Sequence, residues 1–275
     1  NNAGIDIMGN FRSLTDYVGD PLVNIVTMLL IITGGLGFVV LSDLTDYRRN
    51  KKLSLHSKVV LSMSGFLILF GAVVIFVFEY SNPGTMKPLP LGEKILSAFM
   101  QSVSPRTAGV NTLDLATLRQ ATQFFIVVLM FIGASPGSTG GGIKTTTFTA
   151  LIGAVYAMIR GKEDVVLFRH RLAQERVYKA LTVTLISLTL VMIATMILST
   201  TEDHHFLKIL FEVTSAFGTV GLTMGLTTQL TLTGKIIIIL MMFIGRLGPL
   251  TLGYALGPKP GRVLYRHAEG KIIIG

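Results

Sequence analysis

Ser104-Pro105-Arg106-Thr107-Ala108-Gly109-Val110-Asn111 stands between two apolar runs of very different length. The run before it, Ile95 to Val103, is moderately apolar and only nine residues long. The run after it, Ala121 to Ile143, carries no charge at all. A helix needs roughly 20 apolar residues to cross a bilayer, so the second run can span and the first cannot. A short helix that dips into the membrane and returns fits the first. The turn at its tip, 107–109, is then non-helical backbone at membrane depth. Such backbone persists only where it lines water or is packed in protein.

The same arrangement returns along the chain. Thr219-Val220-Gly221-Leu222-Thr223 follows a second short apolar run, Phe206 to Phe217, and Asn2-Ala3-Gly4-Ile5-Asp6 opens the sequence. The central glycines, Gly4, Gly109 and Gly221, are 105 and 112 residues apart. Gly133 lies 24 residues after Gly109, and Gly245 lies 24 after Gly221. Gly34-Gly35-Leu36-Gly37 matches Gly245-Arg246-Leu247-Gly248 in pattern. Membrane helices are Gly-rich, so a lone three-residue echo means little. Three at near-equal spacing, each ahead of a long apolar run, define a unit: span, short pore helix, Gly-bearing turn, span. Glycine lets such a turn aim its carbonyls at a common axis. Rings of carbonyls replace the hydration shell of a cation, and the negative end of a short helix adds to the attraction. Neutral carbonyls favour a monovalent ion, since hard divalent ions usually recruit carboxylates. Asp6 is the one acid close to any of the three turns.

Further apolar runs complete the spans: Leu22–Ser42, Val59–Phe78, Ala180–Leu198, and Ile236–Leu256 with Arg246 inside it. Half the chain is hydrophobic and 14% is charged, with mean hydropathy +0.64. A soluble domain carries about a quarter charged residues. The composition therefore excludes an ordinary soluble protein, and the absence of cysteine excludes disulfides and thiolate metal sites. The net charge of +9 does not need nucleic acid to explain it. Fifteen of the 24 basic residues fall in three segments: Arg48 to Lys58, Arg160 to Lys179, and Lys259 to Lys271. The positive-inside rule places all three in the cytoplasm. Between any two of them the chain must cross an even number of times, which makes the pieces around Ile95–Val103 and Phe206–Phe217 re-entrant.

These features resemble the Ktr/Trk/HKT family of potassium transporters. The most specific piece is Gly133-Ala134-Ser135-Pro136-Gly137-Ser138-Thr139-Gly140-Gly141-Gly142-Ile143-Lys144, supported by residues 104–109 and by Phe243 to Pro249. The resemblance implies an all-α integral membrane protein with four span–pore helix–span units around one central pore. Only three strings are present, so the expectation is a chain lacking the first repeat and the start of the second. The divisions are then 1–50, filter and second span of an incomplete repeat; 51–165 and 166–257, complete repeats; and 258–275, a C-terminal tail. The resemblance makes Asn2, Ala3, Gly4, Thr107, Ala108, Gly109, Thr219, Val220 and Gly221 an ion selectivity filter holding K+ on carbonyls. It makes Ser135, Pro136, Gly137, Ser138, Thr139, Gly140, Gly141, Gly142, Lys144 and Arg246 a gate.

Five helix-breaking residues among positions 136–142 should unwind that span. A passive kink filled by neighbouring helices is the plainer reading of it. Arg246 lies 11 residues beyond Lys235. At ~1.5 Å per residue it is about 16 Å deep, near the bilayer centre, where an arginine normally faces a cavity or a partner. The resemblance further implies potassium uptake across the bacterial cell membrane, stimulated by sodium. It implies a membrane homodimer held partly by the tail and a cytoplasmic, KtrA-like ring that binds nucleotide. The chain itself needs no cofactor and is not expected to be an enzyme. Gly133-Ala134-Ser135-Pro136-Gly137 matches a hydrolase nucleophile pattern, but no histidine lies in a span at its depth. The phosphate-loop pattern at Gly137–Thr145 is broken by Ile143. The competing functions are a secondary cation transporter with a midplane site at broken helices and a non-conducting membrane scaffold.

Overall fold

The computed structural model describes residues 2, 4, 8, 9 and 12–248. Asp20 accepts from the Leu22 and Val23 amides at 2.9 and 3.2 Å, and Pro21 sits in the first turn, so α1 starts there and spans Pro21–Leu36. The run Leu22–Ser42, expected as one span, breaks at Gly37 (φ 87°). The following helix, α2 (Phe38–Asn50), leaves at 100° to α1. The Ser54 hydroxyl accepts from the Ser57 amide and starts α3, Leu55–Glu79, 25 residues of nearly continuous apolar sequence. The short apolar runs form α4 (Leu91–Val103) and α8 (Phe206–Phe217). Between them come α5 (Gln120–Phe131), α6 (Thr145–Ile159), a hairpin of β1 (Val165–Leu167) and β2 (His170–Leu172), and α7 (Gln174–Thr201). Last among the described residues is α9, Leu232–Leu247, ending on Gly248 (φ 83°).

By length and composition α3 and α7 can each cross a bilayer, and the bent pair α1–α2 would be a third crossing. The helices α5 and α6 are shorter apolar pieces separated by residues 132–144, which are not helical. A single parallel bridge, Ile132 to Ile143, closes the neck of that excursion.

The interior is built around the short helices. One cluster packs Phe211 of α8 and Met130 and Ile126 of α5 with Ile75 of α3 and Ala98 of α4. A second joins Val191 and Leu198 of α7 to Ile209 and Phe217 of α8 and Met241 of α9. The outer faces of the long helices stay apolar: Leu69, Val73 and Val77 on α3, and Leu185, Met192 and Met196 on α7, are exposed. Water does not tolerate so large an apolar surface on a single soluble chain, whereas lipid does.

Two buried carboxyl groups tie helix ends together. Glu79, fully buried at the end of α3, accepts from Asn82 Nδ2 and Thr85 Oγ1 at 2.6 Å. It also accepts from the Arg119 amide at 2.9 Å and from the Thr122 hydroxyl, so it binds the start of α5. Glu202, just past α7, does the same for α9 through the Thr231 amide (3.2 Å) and hydroxyl.

Candidate functional site

The first residue of each Gly-bearing string adopts a left-handed backbone: φ is 40° at Asn2, 68° at Thr107 and 50° at Thr219. Only a small share of non-glycine residues do so. Gly109 and Gly221, two residues on, have φ 76° and 90°. The strings also touch. A Cβ on Gly109 would stand 2.6 Å from the Val220 carbonyl oxygen, and a Cβ on Gly4 would overlap the Ala108 carbonyl. Gly4, Gly109 and Gly221 thus meet at one place, where no side chain fits. The model brings Asn2, Gly4, Thr107, Ala108, Gly109, Thr219, Val220 and Gly221 together; Ala3 and Asp6 lie outside the described residues.

Each string is held from behind. The helix α4 runs toward Thr107, with the Ala108 amide donating to the Ser104 carbonyl at 3.1 Å. The helix α8 runs toward Thr219, with the Val220 amide donating to Ser215 at 2.8 Å. Asn2 Nδ2 reaches the Ile31 carbonyl at 3.4 Å. The Asn111 amide donates to Ser13 Oγ at 3.0 Å. Arg106 turns away from the strings into α3, donating to the Ser64 carbonyl at 3.2 Å and its hydroxyl at 2.8 Å. A cavity of about 580 Å³ opens beside the three glycines, next to Asn111, Thr112 and Asp114. No group of three or more His, Cys, Asp or Glu side chains among the described residues could hold a metal ion. A cation at the strings would rest on backbone oxygen.

On the opposite side sits the Gly-rich segment. The Gly141 amide donates to Thr219 Oγ1 at 2.9 Å, and a Cβ on Gly140 would stand 2.5 Å from Thr107 Oγ1. The segment therefore lies directly against the first residues of two strings. It also reaches the α1–α2 pair: the Ser135 amide donates to the Gly35 carbonyl at 3.1 Å, and the Phe38 amide donates to Gly137 at 3.2 Å. Ser138 Oγ closes a turn on the Ser135 carbonyl at 2.5 Å, just after Pro136. Two cations bind neighbouring carbonyls of the segment. Arg246 Nη1 donates to Thr139, and Lys144 Nζ donates to Gly140 at 2.5 Å. Gly142 turns back with φ 69° into the Ile143 bridge.

All the residues expected at the gate that lie in 135–144, together with Arg246, come together under the strings. The sequence-based reading missed Glu79, Glu202 and the Arg106–Ser64 pair. Comparing the ends of the first spans between repeats would have flagged the two acids. An arginine next to a re-entrant turn was itself a signal.

The chain is similar to known membrane transport proteins. A family model described as "TrkH: Cation transport protein" matches residues 1–256. Ktr system potassium uptake protein B of Bacillus subtilis is 46% identical over the whole chain, which spans 61% of that protein. Potassium/sodium uptake protein NtpJ of Enterococcus hirae is 41% identical, with 100% of this chain and 61% of that protein covered. The crystal structure of the potassium transporter TrkH from Vibrio parahaemolyticus superposes with a TM-score of 0.73 at 17% identity. It covers 90% of this chain and 54% of the other. That likeness concerns the fold.

Proposed function

The chain belongs to the TrkH family of cation transport proteins, and from that premise we propose that it forms most of a potassium uptake pore in the cell membrane. Its three strings act as parts of a carbonyl-lined selectivity filter. The observation that carries this reading is the meeting of Gly4, Gly109 and Gly221 at a point where only backbone is present. A potassium ion entering from the vestibule would exchange water for carbonyl oxygen there. The C-terminal ends of α4 and α8, directed at the strings, lower the energy of positive charge in that position.

The repeat divisions at 1–50, 51–165 and 166–257 follow from the matching strings and breaks. The Gly-rich segment is the gate. With Gly141 on Thr219, and with Lys144 and Arg246 placing two positive charges beside the path, it resists cation passage. Opening requires the segment to leave Thr219 and Arg246 to release Thr139. The basic loops face the cytoplasm, by the positive-inside rule. The similarity to Ktr system subunits supports a homodimer, control by a KtrA-like nucleotide-binding ring and stimulation by sodium. Residues 258–275, assigned to the dimer, lie outside the described residues.

The test is cation flux of the whole parent protein in liposomes, with its regulatory partner. Potassium and rubidium should pass in preference to sodium and lithium. Gly109→Ser should collapse that preference by about tenfold or more, equivalent to ~1.4 kcal/mol between ions. Equal flux of all four ions, or preference unaltered by Gly109→Ser, would remove the filter assignment. The breaks at Gly37, 132–144 and Gly248 also suit a transporter with a midplane site. Saturable exchange without a rubidium preference would favour that reading.

A further inference from the structure

We propose that the β1–β2 hairpin is an anchor for anionic lipid in the cytoplasmic leaflet. Its strands lie back along α6: a Cβ on Gly153 would meet Val165 Cγ1 at 3.1 Å and Leu167 Cδ2 at 3.3 Å. Val165 is therefore buried, while Val166 (58% exposed) and Phe168 (49% exposed) are left uncovered. Beside them the last turn of α6 presents Met158 and Ile159, 83% and 79% exposed.

The depth follows from the helix. Gly153 is eight residues beyond Thr145, where α6 leaves the Gly-rich segment. At ~1.5 Å per residue the hairpin packs about 12 Å from a segment that lies near the bilayer centre. The hydrocarbon ends about 15 Å from the centre, so the strand packed on Gly153 lies toward the boundary with the headgroups.

The charge pattern selects the occupant. Arg169, His170 and Arg171 form the exposed tip and second strand, and Arg160 and Lys162 precede the hairpin. The Arg160 guanidinium lies 5.3 Å above the Tyr156 ring, and Arg171 Nε is held by Asp164 Oδ1 at 2.8 Å, so part of the basic rim is already placed. Apolar and aromatic side chains set among arginines at this depth match an anionic headgroup over its acyl chains.

The turn adds an independent sign of use. Phe168 and Arg169 form the two-residue loop with φ 47° and 65°. Asn and Gly take such positions at little cost, whereas a phenylalanine there is strained. Strain of this kind persists where the side chain has a task.

The inference rests on the membrane orientation proposed above, and potassium flux from the same vesicles separates its failure from that of the pore reading. The new indole at the hairpin is read as the difference from the unsubstituted parent. Phe168→Trp, and independently Val166→Trp, would be placed in the full parent protein in vesicles of equal parts phosphatidylcholine and phosphatidylglycerol. Chain-brominated phosphatidylglycerol should quench the new emission about twofold more than brominated phosphatidylcholine at the same content. Arg169→Gln should erase the difference while flux is retained. Emission quenched by neither lipid would overturn the proposal and indicate water or a protein cover, whether a regulatory subunit or a second copy. Equal quenching by both lipids would also overturn it, since the site would then not select anionic headgroups.

Discussion

Glu79 is the residue whose loss should cost the fold most for a single atom group. Its carboxyl group accepts from Asn82, Thr85, Thr122 and the Arg119 amide, all closed away from water. Removing the shared acceptor leaves buried donors unsatisfied, at about 1–3 kcal/mol each. Glu79→Ala should therefore lower the thermal midpoint in detergent sharply, and Glu79→Gln, which keeps an acceptor oxygen, should lower it less. An unchanged midpoint for both variants would mean that the network is replaced by water. The partners of Glu79 could not be read from the sequence, where it appears as the polar end of an apolar run. By contrast, Gly109 was legible as a special residue because its string recurs twice, and the model shows why no side chain is accepted there.

At the scale of elements, the segment 132–144 is the gate we propose. Its carbonyls hold two cations and its Gly141 amide holds Thr219. A hydrogen bond to a charged group is worth about 1.5–3 kcal/mol. Arg246→Ala should release the latch and remove one positive charge from the path. Potassium flux should rise by about tenfold, with the potassium-to-sodium preference unchanged; flux that holds steady or falls would deny the latch. The break in this span was plain from Pro136 and the glycines, since they oppose helix. The break at Gly37 was not, because glycines are ordinary in an apolar run and two of the three in this one, Gly34 and Gly35, stay helical. What forces it is contact: the Phe38 amide bonds to Gly137, and a Cβ on Gly37 would stand 2.5 Å from the Pro136 carbonyl oxygen. The α1–α2 pair bends where the Gly-rich segment 132–144 packs against it.

For the whole molecule, orientation is the property that everything else depends on. The residues 1–275 hold no cysteine, so single cysteines placed here in the full parent, read against the unsubstituted parent, report sidedness. Ala116→Cys, beside the vestibule, should react with an impermeant maleimide from outside cells. Lys162→Cys should react only after the membrane is opened. Reversal of the two would invert the positive-inside assignment. The amino-acid sequence by itself determined that much of the chain lives in lipid and where its long apolar runs lie, though not that the run Leu22–Ser42 bends at Gly37. It also set which short helices cannot cross and which three strings are alike, because these follow from local hydrophobic length and from repetition. Only the tertiary structure decided that the strings meet glycine to glycine, that the Gly-rich segment is bonded to α1, α2 and Thr219 at once, and that Glu79 and Glu202 clasp the helix starts. The physical reason is that these are contacts between residues far apart in sequence. Their partners are backbone carbonyls and amides, which every residue carries and which leave no mark in the order of side chains.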